Sequence, residues 1–350
     1  MLTFGVAHYT IATPFYKLNH NKMPTEFLPL ISIVIGLIGL IWGADRFVTG
    51  SAGAARSLGI APLIIGLTIV SIGTSAPEII VAINASLKEA GGLAIGNAIG
   101  SNLANIGLVL GITALVAPLP TQKHLLVQES PILLVVTIIA GVTLFDGMLS
   151  RTEGLLLLGI LVPVLGFTII LKLRHLEPEE IKEEGQIVPV LPLKIACLWF
   201  FVGLAALLIS SEILVWGAKE VASQFGVSDL IIGLTVIAVG TSLPELAASV
   251  ISAMRGHHDI ALGNIFGSNL FNIMAVMAMP GLIDQPQLGS EIFFRDYLAM
   301  LFITVFLIGF IAWALFRSRQ TAKQPRVSRL GGITLLAFYF AYCLYLIPSS

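Results

Sequence analysis

Ten stretches of about twenty predominantly apolar residues succeed one another along the chain, at roughly 27–50, 62–87, 93–117, 126–145, 152–173, 194–217, 230–254, 260–283, 294–316 and 330–347. About 20 such residues cross the hydrocarbon core of a bilayer as a helix. The pattern predicts an all-α integral membrane protein with ten transmembrane helices. Two neighbouring stretches are interrupted by polar residues and glycine, and the interruption occurs twice. The first copy reads Gly73-Thr74-Ser75-Ala76-Pro77-Glu78, then Gly96-Asn97-Ala98-Ile99-Gly100-Ser101-Asn102-Leu103-Ala104-Asn105. The second reads Gly240-Thr241-Ser242-Leu243-Pro244-Glu245, then Gly263-Asn264-Ile265-Phe266-Gly267-Ser268-Asn269-Leu270-Phe271-Asn272, each position 167 residues after its counterpart.

The repeat reaches beyond the motif. Leu63-Ile64-Ile65-Gly66-Leu67-Thr68 recurs residue for residue at 230–235, and Asp45, Val48, Gly50, Ala55 and Gly59 fall on Glu212, Val215, Gly217, Ala222 and Gly226. Each half then holds five spans. Five is odd, so the second half enters the membrane in the opposite orientation, as in the inverted repeats of secondary transporters. The expected organisation is a tail (1–26), a first five-helix repeat (27–173, motif 60–116), a short acidic linker (174–193) and a second five-helix repeat (194–350, motif 227–283).

Composition agrees with a membrane protein. The chain is 56% hydrophobic and 11% charged, with mean hydropathy +0.95, against about 25% charged residues in a soluble domain. A net charge of −1 gives no reason to expect nucleic acid. Cys197 and Cys343 lie in apolar stretches and are expected as free thiols. Residues 1–26 lack a long apolar run and a small-residue cleavage site, so they read as a tail rather than a signal peptide. Lysine and arginine divide 6 against 13 between the two sides. By the positive-inside rule the richer side is cytoplasmic and both termini lie outside. The linker carries Glu177, Glu179, Glu180, Glu183 and Glu184, and reads as a solvated connector rather than a calcium sensor.

The motif residues suit a hard cation. Pro77 and Pro244 lack an N–H and free backbone oxygens around Ser71–Gly73 and Ala238–Gly240. Thr74, Ser75 and Glu78 lie within about one helical turn. Ser101 and Asn105 share a helix face, as do Ser268 and Asn272. A carboxylate at membrane depth costs about 2.5–3.5 kcal/mol even on insertion scales. One at the same point of both repeats therefore marks a shared cation site. Thr74, Ser75, Thr241 and Ser242 suit either ligation or interhelical hydrogen bonds. Gly96, Gly100, Gly263 and Gly267 read as points of close helix approach. Asp45 and Glu212 read as interfacial residues near helix ends, with gating as the alternative. His257-His258-Asp259 reads as a solvated loop rather than a metal site, and Trp42, Trp199, Trp216 and Trp313 as interfacial anchors.

These strings resemble the alpha-repeats of the calcium/cation antiporter superfamily, in the sodium/calcium exchanger branch found in prokaryotes. The resemblance covers 27–347. It implies a central calcium site from Glu78, Glu245 and the Thr74 and Thr241 carbonyls. It implies sodium sites from Ser75, Ser101, Ser242, Ser268 and the Ser71 and Ala238 carbonyls, with Asn105 and Asn272 lining the centre. Proton/calcium relatives carry an acidic residue where Gly100 and Gly267 stand here, which favours sodium as the driving ion. Some relatives, including potassium-dependent exchangers, have aspartate at the position of Asn272, so no potassium requirement is expected.

The resulting expectation is calcium/sodium antiport by alternating access across the cytoplasmic membrane, without a cofactor, in a monomeric chain whose partners are the two ions and the lipid bilayer. Proton-coupled divalent-cation exchange is the alternative. A channel suits two occluding carboxylates poorly. An intramembrane hydrolase is disfavoured because no histidine or lysine lies near either motif to activate a serine.

Overall fold

The computed structural model describes residues 27–175, 191–225, 238–321 and 324–346. The tail 1–26, the linker segment 176–190 and the first part of the expected seventh span, 226–237, lie outside the described residues.

Helix α1 (Leu28–Leu58) opens with Pro29 in its first turn and ends at Gly59. Gly59 has φ 64°, the left-handed conformation glycine adopts without cost. The helix runs eight residues past the end of its apolar stretch because its last turns are small residues that pack. Its partner is α7 (Leu193–Gln224). The two lie antiparallel in close contact. A Cβ added at Gly43 would sit 2.8 Å from the Leu207 backbone nitrogen, and one at Gly217 would sit 2.6 Å from the Pro29 carbonyl.

The second span is broken. Helices α2 (Pro62–Thr74) and α3 (Ala76–Leu87) meet at Ser75 with a bend of 43°. Pro77 opens α3, where its missing N–H costs no hydrogen bond. Then follow α4 (Gly91–Val116), α5 (Leu125–Leu144) and α6 (Arg151–His175). The second half holds α8 (Ala238–Thr241), α9 (Leu243–Met254), α10 (His258–Ile283), α11 (Ile292–Gln320) and α12 (Arg329–Leu346). Eight helices are long and apolar enough to cross a bilayer, and α2 with α3 makes a ninth span among the described residues. The remaining stretch of the ten, the seventh (230–254), is described only from Ala238.

The repeat in sequence is a repeat in structure. Ala76–Leu87 and Leu243–Met254 are helices 167 residues apart, as are Gly91–Ala104 and His258–Phe271. Both α4 and α10 widen into one π-helical turn at the same place, Asn105–Val109 and Asn272–Val276. The halves also clasp each other reciprocally. Strand β1 (Leu119–Pro120), after α4, pairs with β2 (Arg326–Val327), before α12. Gln287, after α10, bridges Met148, before α6.

Helices α4 and α10 form the centre, 78% and 100% buried over their most apolar windows, whereas the long peripheral helices are 17–44% buried. The periphery turns Leu30, Val34, Ile38, Phe201 and Val162 outward, where lipid solvates them as readily as protein would. Gly263 and Gly267 let α10 approach α2: a Cβ at Gly267 would lie 2.5 Å from the Leu67 carbonyl and 2.6 Å from Ser71 Oγ. Gly96 and Gly100 have no such neighbour among the described residues. Overpacking costs about 1–3 kcal/mol. Gly267→Ala is therefore expected to lower the melting temperature of the detergent-purified protein, whereas Gly309→Ala, on an open face of α11, leaves it unchanged or raises it.

Two sequence readings are corrected. Asp45 and Glu212 do not lie near helix ends, being the eighteenth residue of α1 and the twentieth of α7. Asp45 is held there by an ion pair with Arg255, which also bonds Thr49. The His257-His258-Asp259 segment is not a solvated loop. His257 and Asp259 are buried, at 8% and 7% exposure, because after the turn at Gly256 (φ 79°) they form the N-cap and first turn of the central helix α10. No group of three metal-ligating side chains exists among the described residues. Trp42 and Trp199 also do more than anchor: their rings hold the Arg46 guanidinium at 5.8 and 4.6 Å.

Candidate cation-binding site

Each broken span delivers a glutamate to the middle of the molecule. Ser75 (φ −82°, ψ 8°) and Ser242 (φ −90°, ψ 4°) form the two breaks with nearly the same backbone. Glu78 and Glu245 follow in the first turns of α3 and α9, at 0% and 1% exposure. A helix N-terminus favours negative charge, so the local backbone helps to hold a carboxylate there.

The halves interlock across this point. Ser75 Oγ donates to Glu245 Oε1 at 2.9 Å. Thr74 Oγ1 donates to Asn264 Oδ1 at 3.1 Å, and the Asn264 amide donates to Ser249 Oγ (2.9 Å) and to the Glu245 carbonyl (3.3 Å). Thr241 lies beside Glu78, as Thr74 and Ser75 lie beside Glu245, and the two carboxylates are close enough to repel. Ser71, Ser101, Asn105, Ser268 and Asn272 are all buried. The backbone breaks differ in one respect. The Ser75 N–H bonds the Ser71 carbonyl (2.9 Å), whereas the Ser242 N–H bonds Val239 (3.1 Å) rather than Ala238.

The polar atoms here are unsatisfied. Of sixteen buried side-chain nitrogens and oxygens without a hydrogen-bond partner among the described residues, nine belong to the residues singled out in the sequence. They are both oxygens of Glu78, Oε2 of Glu245, Oγ of Ser242 and Ser268, and both amide atoms of Asn105 and Asn272. Native proteins leave few such groups unpaired, since each costs about 1–3 kcal/mol. Two other buried carboxylates have partners: Glu129 meets His124 at 3.2 Å, and Asp296 meets Arg295 at 2.7 Å and Tyr342 at 3.0 Å. Glu78 and Glu245 make no ion pair among the described residues. Two unpaired carboxylates with surrounding hydroxyl, amide and carbonyl oxygens fit a hard cation, which takes oxygen ligands in this number and kind.

Asn264 is a residue the sequence reading quoted without a role. Its place in both copies of the repeat, as Asn97 and Asn264, was the available signal.

The sodium/calcium exchanger protein family model matches residues 28–170 and 195–347, both halves of the chain. This chain belongs to that family. It is 44% identical to the putative antiporter CaxA of Alkalimonas amylolytica, over 91% of this chain and 98% of the relative. It is 30% identical to the sodium/calcium exchanger MaX1 of Methanosarcina acetivorans, over 90% and 97%. Among solved structures, the sodium-calcium exchanger NCX_Mj soaked with 2.5 mM Na+ and 0.1 mM Ca2+ superposes with a TM-score of 0.75 at 32% identity, covering 90% of this chain and 97% of that one. The protein is thus a multi-pass membrane cation antiporter of the sodium/calcium exchanger type, and not an enzyme.

Proposed function

We propose that the protein exchanges calcium for sodium by alternating access, with Glu78 and Glu245 as the carboxylates of a single calcium site built from two inverted five-helix repeats. The unsatisfied oxygens of both glutamates carry this reading. Two ionised carboxylates balance one calcium ion, which lowers the penalty for dehydrating it. Sodium is monovalent and must occupy the same pocket in more than one copy to match that charge. The Thr74 and Thr241 carbonyls complete the calcium site. Ser75, Ser101, Ser242 and Ser268 supply neutral oxygens for sodium, with the Ser71 and Ala238 carbonyls. Competition for the same two carboxylates makes the process exchange rather than leak.

Alternating access is supported by an asymmetry between the repeats. Helix α7 covers both breaks: Leu204 lies 3.2 Å from a Cβ built on Gly73, and Val215 lies against Gly240. Helix α1 packs along α9, but α7 has no comparable packing against α3. The repeat allows the mirror arrangement, with α1 over both breaks and α7 along α3. From the excess of lysine and arginine on the side of Arg255 we infer that this side is cytoplasmic and that both termini lie outside.

Calcium uptake into proteoliposomes tests the function. Uptake is expected when sodium is higher inside than outside at constant pH, and to need no potassium. Uptake driven by a pH gradient, with sodium without effect, would replace sodium by protons as the coupling ion.

A further inference from the structure

Asp45 sits on α1 and its partner Arg255 caps the C-terminus of α9. Moved by 167 residues, this pair becomes Glu212 on α7 and Lys88 at the C-terminus of α3. The charges keep their signs. The turns that present the two cations also correspond, through left-handed residues Glu89 (φ 57°) and Gly256 (φ 79°). Yet only one pair is formed. Arg255 binds Asp45 and the Thr49 hydroxyl. Lys88 and Glu212 are both exposed and make no ion pair among the described residues. The difference follows the helix packing, since α1 lies along α9 and α7 stands off α3.

We propose that Asp45–Arg255 and Glu212–Lys88 are two positioning latches on opposite sides of the membrane, one closed in each access state. The proposal rests on the alternating-access reading above and adds the residues that hold each end state. As α1 and α7 shift to the mirror arrangement, Asp45 leaves Arg255 and Glu212 meets Lys88. Neither pair touches the ions. Each holds its mobile helix against the end of a static one, so each closes the pathway on its own side.

The two latches are unequal. Arginine engages Asp45 and Thr49 with a rigid planar fork, whereas lysine is a flexible point charge. The counterpart of Thr49 is Trp216, which has no oxygen to accept from Lys88. The resting equilibrium therefore favours the state in which Asp45 and Arg255 are joined.

Cysteine cross-linking tests the proposal in the full chain with Cys197 and Cys343 replaced by serine. A variant carrying cysteine at 45, 255, 88 and 212 is oxidised with copper phenanthroline during turnover, and its disulfides are read by mass spectrometry. Both disulfides, 45–255 and 88–212, are expected in the population, but only one on each polypeptide. Each two-cysteine variant is expected to lose exchange on oxidation and regain it on reduction. In the 88–212 variant, Arg255→Gln is expected to raise the rate of disulfide formation about fivefold, the scale of a partly exposed ion pair. Arg255→Gln combined with Asp45→Asn should give no further increase. Failure of 88–212 to form while the reduced protein exchanges ions overturns the latch, as do both disulfides on one molecule. Absence of sodium-driven calcium flux in the reduced protein overturns the functional reading instead, whatever the disulfide pattern.

Discussion

Glu78→Gln and Glu245→Gln are each expected to lower calcium flux by about two to three orders of magnitude while the helices stay folded. Either change removes half the charge that stabilises a dehydrated calcium ion. Leaving a buried charge without its partner costs about 3–5 kcal/mol, and each 1.4 kcal/mol is about tenfold in affinity. The fold tolerates the loss because the Glu78 carboxylate has no hydrogen-bond partner among the described residues. Glu245 loses little, since glutamine keeps an oxygen to accept from Ser75. Removing one of two mutually repelling buried carboxylates also relieves repulsion in the ion-free protein. The melting temperature without calcium should therefore be equal or higher in the variants, and calcium should raise it only in the wild type. Tracer flux in liposomes beside melting curves with and without calcium measures both effects. Near wild-type flux in either variant would remove the glutamates from the site.

The parts of the fold legible in the sequence were those carried by repetition. Strings 167 residues apart marked both breaks, both glutamates and both asparagine–serine faces, and the structure brings Glu78, Glu245, Thr74 and Ser75 into one centre. Helix lengths were less legible. The first stretch reads as ending at Gly50, since the following Ser51-Ala52-Gly53-Ala54-Ala55 scores as weakly apolar. Those small residues are where α1 meets the chain around Leu191 and Ala196, so the helix continues to Leu58. Asp45 was misread for a different reason. A charge inside a span looks like a helix end until its partner is known, and Arg255 is 210 residues away. The burial of His257 likewise follows from the turn at Gly256, a tertiary feature that no local pattern of charge reveals.

Replacing Ser101 and Ser268 together with alanine is expected to raise the sodium concentration for half-maximal exchange about a hundredfold, with calcium affinity changed severalfold at most. Each serine is buried, on the central helix of its half, and Ser268 Oγ has no hydrogen-bond partner among the described residues. A hydroxyl that engages a charged group contributes about 1.5–3 kcal/mol, so the lower end of that range already gives about tenfold for each serine. Calcium draws most of its stabilisation from the two carboxylates, which the substitutions leave in place. Sodium carries half the charge and depends more on neutral oxygens, so the loss falls on sodium. Alanine preserves the helices and fills nearly the same volume, so a general loss of packing would weaken both ions alike. Sodium titrations of calcium flux, with calcium binding measured separately in sodium-free detergent solution, distinguish the two. Equal losses for sodium and calcium would place the serines in the calcium site, and no change for either would remove them from ion coordination.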